Sequence, residues 1–326
     1  MHLAGRIGES ATIKEPSAMP MHVVTPTIQS TELSRAAGLE VMLKIESIQP
    51  CGSFKLRGIG HACESLLRGG ATRFISSSGG NAGYAVAYAG RQLGVPVTVV
   101  VPETTTARAK ALIRSEDAEI VVQGGSWQEA NAHAQSLLGN GAVFIHPFDH
   151  PLLWDGHATM IDELTTQCVK PDVVICSVGG GGLLAGVGEG LLRAGWKDVG
   201  ILAVETEGAA SYAAALRQGG PVEIPAIETI ATSLGAKKVC DRSFELTKEL
   251  NIQSLVLSDA EACRGSVDLL DAHRLMTEPA CGASVAGLVS VKTHFPQARR
   301  VVVIVCGGVG ASAAQLRDWT AATSAE

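Results

Sequence analysis

The chain has 326 residues, 46% of them hydrophobic, which allows one large domain or two modest ones and argues against disorder. Its 26 basic and 32 acidic residues give a net charge of -6 with no basic run, so nucleic acid and anionic membranes are poor candidate partners. No apolar run reaches the roughly 20 residues that span a bilayer.

The opening segment, MHLAGRIGESATIKEPS, carries charges of both signs and no apolar core, so no secretory signal is expected. The eight cysteines form no CxxC pair, which favours reduced thiols over a disulfide framework or a zinc module. Prolines 147 and 151 interrupt any helix that would align His146, His150 and His157, so we expect no metal site there. These features predict a soluble, cytoplasmic protein.

Short β-branched runs alternate with amphipathic stretches along the chain. One stretch, residues 126–138, places Trp127, Ala130, Ala134 and Leu137 at helical spacing. Because the strand-like runs are continuously apolar, they indicate parallel sheets covered on both faces by helices, an α/β architecture. Periodicity leaves the strand order open. Strands are predicted at residues 41–45, 73–77, 97–101, 119–122, 172–177, 201–204 and 301–305.

The first chemical motif is Ser53-Phe54-Lys55, at the predicted start of a helix. A reactive lysine needs a lowered pKa, which desolvation or a positive field provides. The apolar Phe54 and a helix N-terminus are compatible with both causes, although an ordinary solvated lysine is the alternative.

Three predicted strands run directly into glycine-rich turns, at residues 76–83, 177–182 and 306–310. Ligands of open α/β sheets bind at the carboxyl ends of strands, so the three turns are candidate walls of one pocket. The first turn, SSSGGNAG, offers hydroxyls, an amide and backbone N–H groups that suit a carboxylate, unless Ser78 or Asn81 is only a helix cap.

The second turn has four consecutive glycines, Gly179, Gly180, Gly181 and Gly182, whose N–H groups can converge on an anion ahead of a helix. No lysine or Ser/Thr follows in the order of a nucleotide P-loop, and a flexible turn is the alternative. The third turn begins at Cys306, which as a small hydrophobe could simply end a buried strand.

Together and in this order, the motifs resemble the fold-type II pyridoxal-phosphate enzymes, specifically the serine dehydratase and serine dehydratase-like branch. The resemblance covers nearly the whole chain. It is carried by HVVTP at 22–26, QPCGSFKLRGIGH at 49–61, SSSGGNAG at 76–83, RQLGVP at 91–96, PFDHPLLWDGHA at 147–158, SVGGGGLLAGV at 177–187, EPACGA at 278–283 and VVVIVCGG at 301–308.

The resemblance implies a tryptophan synthase β-like fold, with two open, twisted, mostly parallel sheets flanked by helices. It also implies two domains. Residues 1–48 and 149–326 would form a large domain that binds pyridoxal 5′-phosphate. Residues 49–148 would form a small domain that carries the cofactor-binding lysine and the loop for the substrate carboxylate.

The resemblance also implies a role for each motif. Lys55 would hold the cofactor covalently and remove the substrate Cα proton, with Phe54 beside the pyridine ring and Cys306 facing the ring nitrogen. A thiol, with an ordinary pKa of about 8.5, is a poor proton donor to that nitrogen. A neutral ring suits prompt loss of the β-hydroxyl over racemisation or transamination. Residues 179–182 would hold the phosphate.

The substrate would be bound by the loop at residues 76–83. Ser78, Gly79 and Asn81 would bind its carboxylate, Asn81 would reach the cofactor 3′-hydroxyl, and Ser78 is a candidate for proton transfer at the leaving hydroxyl. The implied reaction is dehydration and deamination of L-serine or L-threonine to a 2-oxo acid and ammonia. By resemblance we also expect a homodimer, and a monovalent cation (K⁺) near Glu205, Ala209, Leu234 and Ala236.

Two residues depart from the family pattern. Cys51 replaces a common serine close to Lys55, so thiol modification is expected to affect activity. Gly79 replaces the alanine of some members, which would loosen the substrate carboxylate or admit larger β-hydroxy substrates. No room is left for a regulatory domain after the last turn, so we expect no feedback inhibition by isoleucine through such a module.

Other functions stay open at this point. The same scaffold supports serine or threonine racemisation, β-replacement and threonine synthesis. A catalytically silent binding protein is a second class, although it could most easily have lost Lys55. A dinucleotide-binding protein is a third, but the chain lacks a GxGxxG turn with an acidic residue about 20 positions on.

Overall fold

The structure is a computed structural model that describes residues 19–323. The opening segment in which no secretory signal is predicted therefore lies outside the described residues. Two sheets organise the described chain. A six-stranded sheet has the order β1-β2-β10-β7-β8-β9, and a four-stranded sheet has the order β5-β4-β3-β6. All pairings are parallel except that of β1 with β2.

The strands are short and the helices cover both sheets. The strands are β1 Thr27–Gln29, β2 Glu40–Ile45, β3 Arg73–Ser76, β4 Val97–Val101, β5 Glu119–Val122, β6 Ala142–Phe144, β7 Val173–Ser177, β8 Gly200–Thr206, β9 Ile252–Leu257 and β10 Arg300–Val305. The helices are α1 Thr31–Ala37, α2 Lys55–Arg68, α3 Asn81–Leu93, α4 Ala107–Arg114, α5 Trp127–Ser136, α6 Pro151–Gln167, α7 Gly182–Arg193, α8 Ser211–Gln218, α9 Asp241–Glu245, α10 Asp259–His273, α11 Pro279–Ala286, α12 Val291–His294 and α13 Ala313–Thr323.

The central strands are continuously buried, as the apolar runs predict. Every residue of β4, β7 and β8 is buried, because helices cover both faces of the parallel sheets. The seven predicted strands are all present. The three unpredicted strands, β1, β6 and β9, lie at sheet edges and are mostly half-buried, so their sequences lack a continuous apolar signal.

The predicted helix at residues 126–138 forms α5, with Ser126 as its N-cap in a capping box with Glu129. Ala130 and Ala134 are buried, but Trp127 is 39% exposed and does not extend the apolar face as expected. At the first turn, such a side chain lies at the edge of the contact with the sheet. No helix in the described part of the chain is long and apolar enough to cross a membrane.

Helix α2 packs against α6 with the two backbones in close contact. A β-carbon on Gly58 would lie 2.5 Å from the Leu153 carbonyl oxygen, and one on Gly156 would lie 2.4 Å from the Arg57 carbonyl oxygen. Only glycine fits at either position, so this pair fixes the crossing of the two helices. The crossing joins elements that flank different sheets.

Candidate active site

One cleft of about 470 Å³, counting space open to solvent, lies at the carboxyl ends of β7 and β10. All three glycine-rich turns contribute to its lining, so the prediction of one shared pocket is confirmed by the geometry. The lining residues are Ser53, Phe54, Lys55, Asn81, Phe148, Ser177, Gly179, Gly180, Gly181, Gly182, Leu183, Ser233, Leu234, Glu278, Ala280, Cys306 and Gly307.

Lys55 is the first residue of α2 and its amine lies inside the cleft. Its Nζ donates to the carbonyl oxygen of Pro147 at 2.6 Å and lies 5.1 Å from the ring centroid of Phe54. Burial lowers the pKa of the Lys55 amine to about 8, against smaller raising effects of Cys306 and Glu278. An amine with this pKa is partly neutral near physiological pH, as a nucleophile or base must be.

The start of α2 is hydrogen-bonded to the turn that follows β10. The Phe54 amide donates to the Cys306 carbonyl at 3.0 Å, and the Gly308 amide donates to the Gly52 carbonyl at 2.8 Å. Gly307 has φ +84°, and a β-carbon there would lie 2.3 Å from the Gly52 oxygen. The backbone of one turn therefore fixes the distance between the lysine and the Cys306 thiol.

The four-glycine turn forms a narrow backbone cradle at the N-terminus of α7. Gly181 is the N-cap with φ +86°, a left-handed conformation that side chains disfavour. A β-carbon on Gly180 would lie 2.4 Å from the Phe148 ring, and one on Gly182 would lie 2.6 Å from the Phe148 carbonyl oxygen. Free N–H groups and the helix dipole at this position suit a phosphate.

Asn81, the first residue of α3, reaches the cleft with its amide held on both sides. Its Oδ1 accepts from the Val309 amide at 2.9 Å, and its Nδ2 donates to Oε1 of Glu278 at 2.8 Å. The N-cap of α3 is Gly80, which makes no side-chain cap hydrogen bond, so Asn81 is not a helix cap. Its side chain is left to serve the cleft.

Ser78 and Gly79 belong to the same loop but are not among the residues that line the cleft. The Ser78 hydroxyl accepts from the Gly80 amide at 3.3 Å. A β-carbon on Gly79 would lie 2.7 Å from Cγ2 and 2.9 Å from Oγ1 of Thr105. The space of the missing methyl group is thus taken by Thr105, and this position does not enlarge the pocket.

Cys306 lies in the cleft, and its thiol has the side chains of Ser177 and Cys281 as polar neighbours. Its Sγ is 3.6 Å from Oγ of Ser177, and the next residue, Gly307, donates its amide to Sγ of Cys281 at 3.5 Å. Hydrogen bonding to the Cys281 thiol, together with burial, raises the pKa of Cys306 well above its ordinary value. Cys306 therefore presents a neutral thiol.

The other cysteines give no exposed reactive group. All eight are free; Cys168 is half-buried and the rest are buried. Burial, with a smaller effect of Glu116, raises the pKa of the Cys51 thiol, which has no exposed surface. Since the thiolate is the reacting form, the environment of Cys51 argues against the expected sensitivity of the native protein to thiol modification.

Of the four positions expected near a monovalent cation, Leu234 lies against the glycine turn. A β-carbon on Gly179 would lie 3.0 Å from Cα of Leu234, whose carbonyl accepts from the Ala236 amide. Glu205 and Ala209 are buried, and the Glu205 carboxylate accepts from the Tyr212 and Ala213 amides at the start of α8. Burial raises the pKa of Glu205 to about 7.

The three clustered histidines each use Nδ1 for a backbone hydrogen bond. His146 accepts from the amides of the following turn, His150 caps α6 and His157 accepts from the Gly58 amide at 3.2 Å. Within residues 19–323 no group of three His, Cys, Asp or Glu side chains is arranged to hold a metal ion.

A buried charge cluster behind α2 was not predicted from the sequence. It consists of Arg57, Glu46, Glu163 and Lys44, with Arg57 bound to both carboxylates and Lys44 to Glu163 at 2.5 Å. Arg57 donates to Glu46 at 2.7 and 2.8 Å and to Glu163 at 2.6 and 2.8 Å. Because Arg57 lies two residues after Lys55, the cluster anchors the lysine helix to β2 and α6.

Glu278 is a further site residue that the sequence did not reveal. It lies in the motif EPACGA, and its carboxyl lines the cleft and accepts from Asn81. Phe148 and Ser177 also line the cleft without having been assigned. The sequence offered no local signal for Glu278, because its partners Asn81 and Gly310 are distant along the chain.

The residues present fit pyridoxal phosphate. The cleft joins an amine of lowered pKa, a glycine cradle in which added β-carbons collide with Phe148, and a neutral thiol opposite Ser177. A family model described as "Pyridoxal-phosphate dependent enzyme" matches residues 19–307, and the chain belongs to this family. The fold-type II expectation is thereby confirmed.

Curated relatives and a solved structure show which members of the family this chain resembles. The chain is 46% identical to mouse "Serine dehydratase-like", over 95% of this chain and 97% of the relative. It is 45% identical to human "L-serine dehydratase/L-threonine deaminase", over 92% and 95%. A fungal L-serine ammonia-lyase from Rhizomucor miehei superimposes with a TM-score of 0.88 at 36% identity, covering 92% of this chain and 98% of that one.

Proposed function

We propose that this enzyme is a pyridoxal-phosphate-dependent ammonia-lyase that converts L-serine, L-threonine or both to pyruvate or 2-oxobutyrate and ammonia. The observation that carries the proposal is that Lys55 and the four-glycine turn face one cleft, in a chain whose relatives are named for this reaction. Bound pyridoxal phosphate supplies an electron sink for negative charge at the substrate Cα.

In the proposed reaction, Lys55 would hold the cofactor, and its amine would take the substrate Cα proton. Its lowered pKa suits this role because a neutral amine is present near pH 8. Phe54 would pack beside the cofactor ring, and residues 179–182 would bind its phosphate through their N–H groups. The β-hydroxyl leaves as water, and the released enamine hydrolyses to the 2-oxo acid and ammonia.

The substrate carboxylate is assigned to the loop of Ser78, Gly79 and Asn81. Ser78 is our candidate for protonating the leaving hydroxyl. In that role its Oγ would give up the hydrogen bond from the Gly80 amide and would donate to the substrate hydroxyl instead. Cys306 would lie near the ring nitrogen as a neutral thiol, and it would not force a proton onto the ring. A ring left neutral is a weaker electron sink for negative charge at Cα than a protonated one.

Further parts of the proposal concern assembly and location. We propose that the described residues before 49 and after 148 form a large domain and residues 49–148 a small one, since all four strands of the four-stranded sheet lie within residues 49–148. We also propose a homodimer, a cytoplasmic location, and a K⁺ ion held by the Glu205 carboxylate with backbone oxygens of Ala209, Leu234 and Ala236.

The experiment is to measure 2-oxo acid and ammonia from purified protein with L-serine and with L-threonine, beside Lys55→Ala. We expect equal release of both products, lost by at least about 1,000-fold in the variant because it removes both the covalent anchor and the base. Lys110→Ala, which changes a surface lysine outside the cleft, is the matched control and should leave both rates unchanged.

Two results would oppose the proposal. A cofactor-loaded protein that forms D-serine without 2-oxo acid would indicate a racemase. One that forms 2-oxo acid only from a bulkier β-hydroxy amino acid would keep the reaction and change the substrate.

A further inference from the structure

Glu278 is a buried carboxyl in the cleft wall, at the N-cap of α11, to which the proposed reaction assigns no role. Oε1 of Glu278 accepts from Nδ2 of Asn81 at 2.8 Å, and Oε2 accepts from the Gly310 amide at 3.3 Å. The side chain thus joins the start of α3 to the loop that follows Cys306.

The partners of Asn81 define which way its amide points. Oδ1 accepts from the Val309 amide, so Nδ2 must face Glu278. A primary amide has two N–H donors. One donates to Glu278 at 2.8 Å, and the other makes only a long contact of 3.3 Å to Oγ of the exposed Ser233 at the cleft wall. The second donor is therefore the one available to a ligand.

The loop that follows Cys306 approaches the Glu278 carboxyl closely through two glycines. A β-carbon on Gly308 would lie 2.1 Å from Cδ of Glu278, and one on Gly310 would lie 2.9 Å from Oε2. The two glycines let the loop close onto the carboxyl. A side chain at either glycine would displace the carboxyl from its hydrogen bonds with Asn81 and the Gly310 amide.

Charged and titratable groups around Glu278 come from several elements. Lys55 faces Glu278 from α2, and Asn81 faces it from α3. Ser233 faces it from the short helical turn at residues 232–234. Cys281 does so from α11 and Cys306 from the residue after β10. Burial raises the pKa of Glu278, against the lowering effects of its hydrogen bonds from Ser233 and Asn81.

We propose that Glu278 is a positioning residue that aims the free N–H of Asn81 into the cleft and ties the substrate loop to the 306–310 loop. This inference rests on the proposed function for the identity of the ligand. Its effect is transmitted through Asn81, so Glu278 needs no contact of its own with the reacting atoms.

The test is a double-mutant cycle of Glu278→Ala and Asn81→Ala in the holoenzyme. The readouts are the Kd of L-alanine, which lacks a leaving group, from the spectral shift of the bound cofactor, and kcat/KM for L-serine. We expect Glu278→Ala to raise the Kd about 10-fold and to lower kcat/KM roughly 100-fold. In the Asn81→Ala background the same change should alter each value less than about 2-fold.

Two further variants keep the cycle interpretable. Glu278→Gln retains the volume and one acceptor oxygen, so it should recover part of the loss, and it replaces Glu278→Ala in the cycle if that variant does not fold. Glu64→Gln changes a buried glutamate of α2 that does not line the cleft, and should match the wild type in both readouts.

Equal losses from the Glu278 variant with and without Asn81 would overturn the inference, since that result denotes an independent structural role. So would a Glu278→Ala enzyme that matches the wild type. If the wild type forms no 2-oxo acid, the proposed reaction fails, but the Kd values for L-alanine still decide the role of Glu278.

Discussion

The four-glycine turn and the charge cluster behind α2 hold the same cleft by opposite means. The turn uses backbone alone, and a β-carbon on Gly180 or Gly182 would collide with Phe148. The cluster uses long charged side chains, and Arg57 makes hydrogen bonds to both Glu46 and Glu163 without exposed surface. The turn therefore tolerates no side chain at Gly180 or Gly182, whereas the cluster depends on its charged side chains.

This difference predicts different kinds of failure. An added methyl group at the turn should weaken ligand binding while the fold survives, because the collision is local. Removal of one charge from the cluster leaves an opposite charge buried and unpaired, a cost that falls on the stability of the whole protein. Variants in the two regions should therefore separate cofactor affinity from stability.

The largest effect is expected for Arg57→Met. The substitution leaves the carboxylates of Glu46 and Glu163 with only Lys44 as a cationic partner, so unfolding free energy should fall by roughly 3–5 kcal/mol. Urea denaturation of the apoprotein measures it. The control, Arg193→Met, breaks exposed pairs and should cost at most about 1 kcal/mol. Equal losses in both variants would show that burial of the cluster is not what matters.

A smaller effect, on affinity, is expected for Gly180→Ala. Its β-carbon meets the Phe148 ring at 2.4 Å, so the turn must shift and the Kd for pyridoxal phosphate should rise about 100-fold, as for a misplacement of about 1 Å. Fluorescence titration of the apoprotein gives the Kd. Gly220→Ala, where a β-carbon meets open space, is the control. Unchanged affinity in Gly180→Ala would remove this turn from the phosphate site.

The smallest effect concerns Lys55, whose amine lies in the same cleft. Since its amine has a pKa of about 8, its neutral fraction grows as pH rises through 8 and is nearly complete by pH 9. The rate at which apoprotein captures pyridoxal phosphate should therefore level off above about pH 9, whereas a solvated lysine of pKa about 10.4 would react faster up to pH 11. Stopped-flow absorbance measures the rate, with Lys55→Ala as the blank. A continued rise would show that Lys55 is not desolvated.

The sequence predicted the backbone features of this site better than its side-chain networks. Consecutive glycines and an apolar strand before Cys306 leave a local signal, because the constraint lies within a few residues of chain. The pairing of β2 with β10, or of β8 with β9, leaves none, since strand order depends on crossovers that periodicity does not encode.

One physical reason explains why these site residues could not be predicted from the sequence. Arg57, Glu46 and Glu163 come from separate elements, and charged residues are almost always solvated, so each alone predicts a surface position. Only the folded structure shows that the charges of Arg57 and Lys44 are paired with those of Glu46 and Glu163. Glu278 was hidden in the same way, because its partners Asn81 and Gly310 lie far from it along the chain.

The hydrogen bonds between Gly52–Phe54 and Cys306–Gly308 have a consequence for biosynthesis. A ribosome completes the lysine helix long before it delivers the last strand of the six-stranded sheet, and contacts between such distant segments form slowly. The nascent chain thus carries Lys55 without the cleft that lowers its pKa. Cofactor capture is therefore expected to follow translation, so that only chains with β10 in place acquire the prosthetic group.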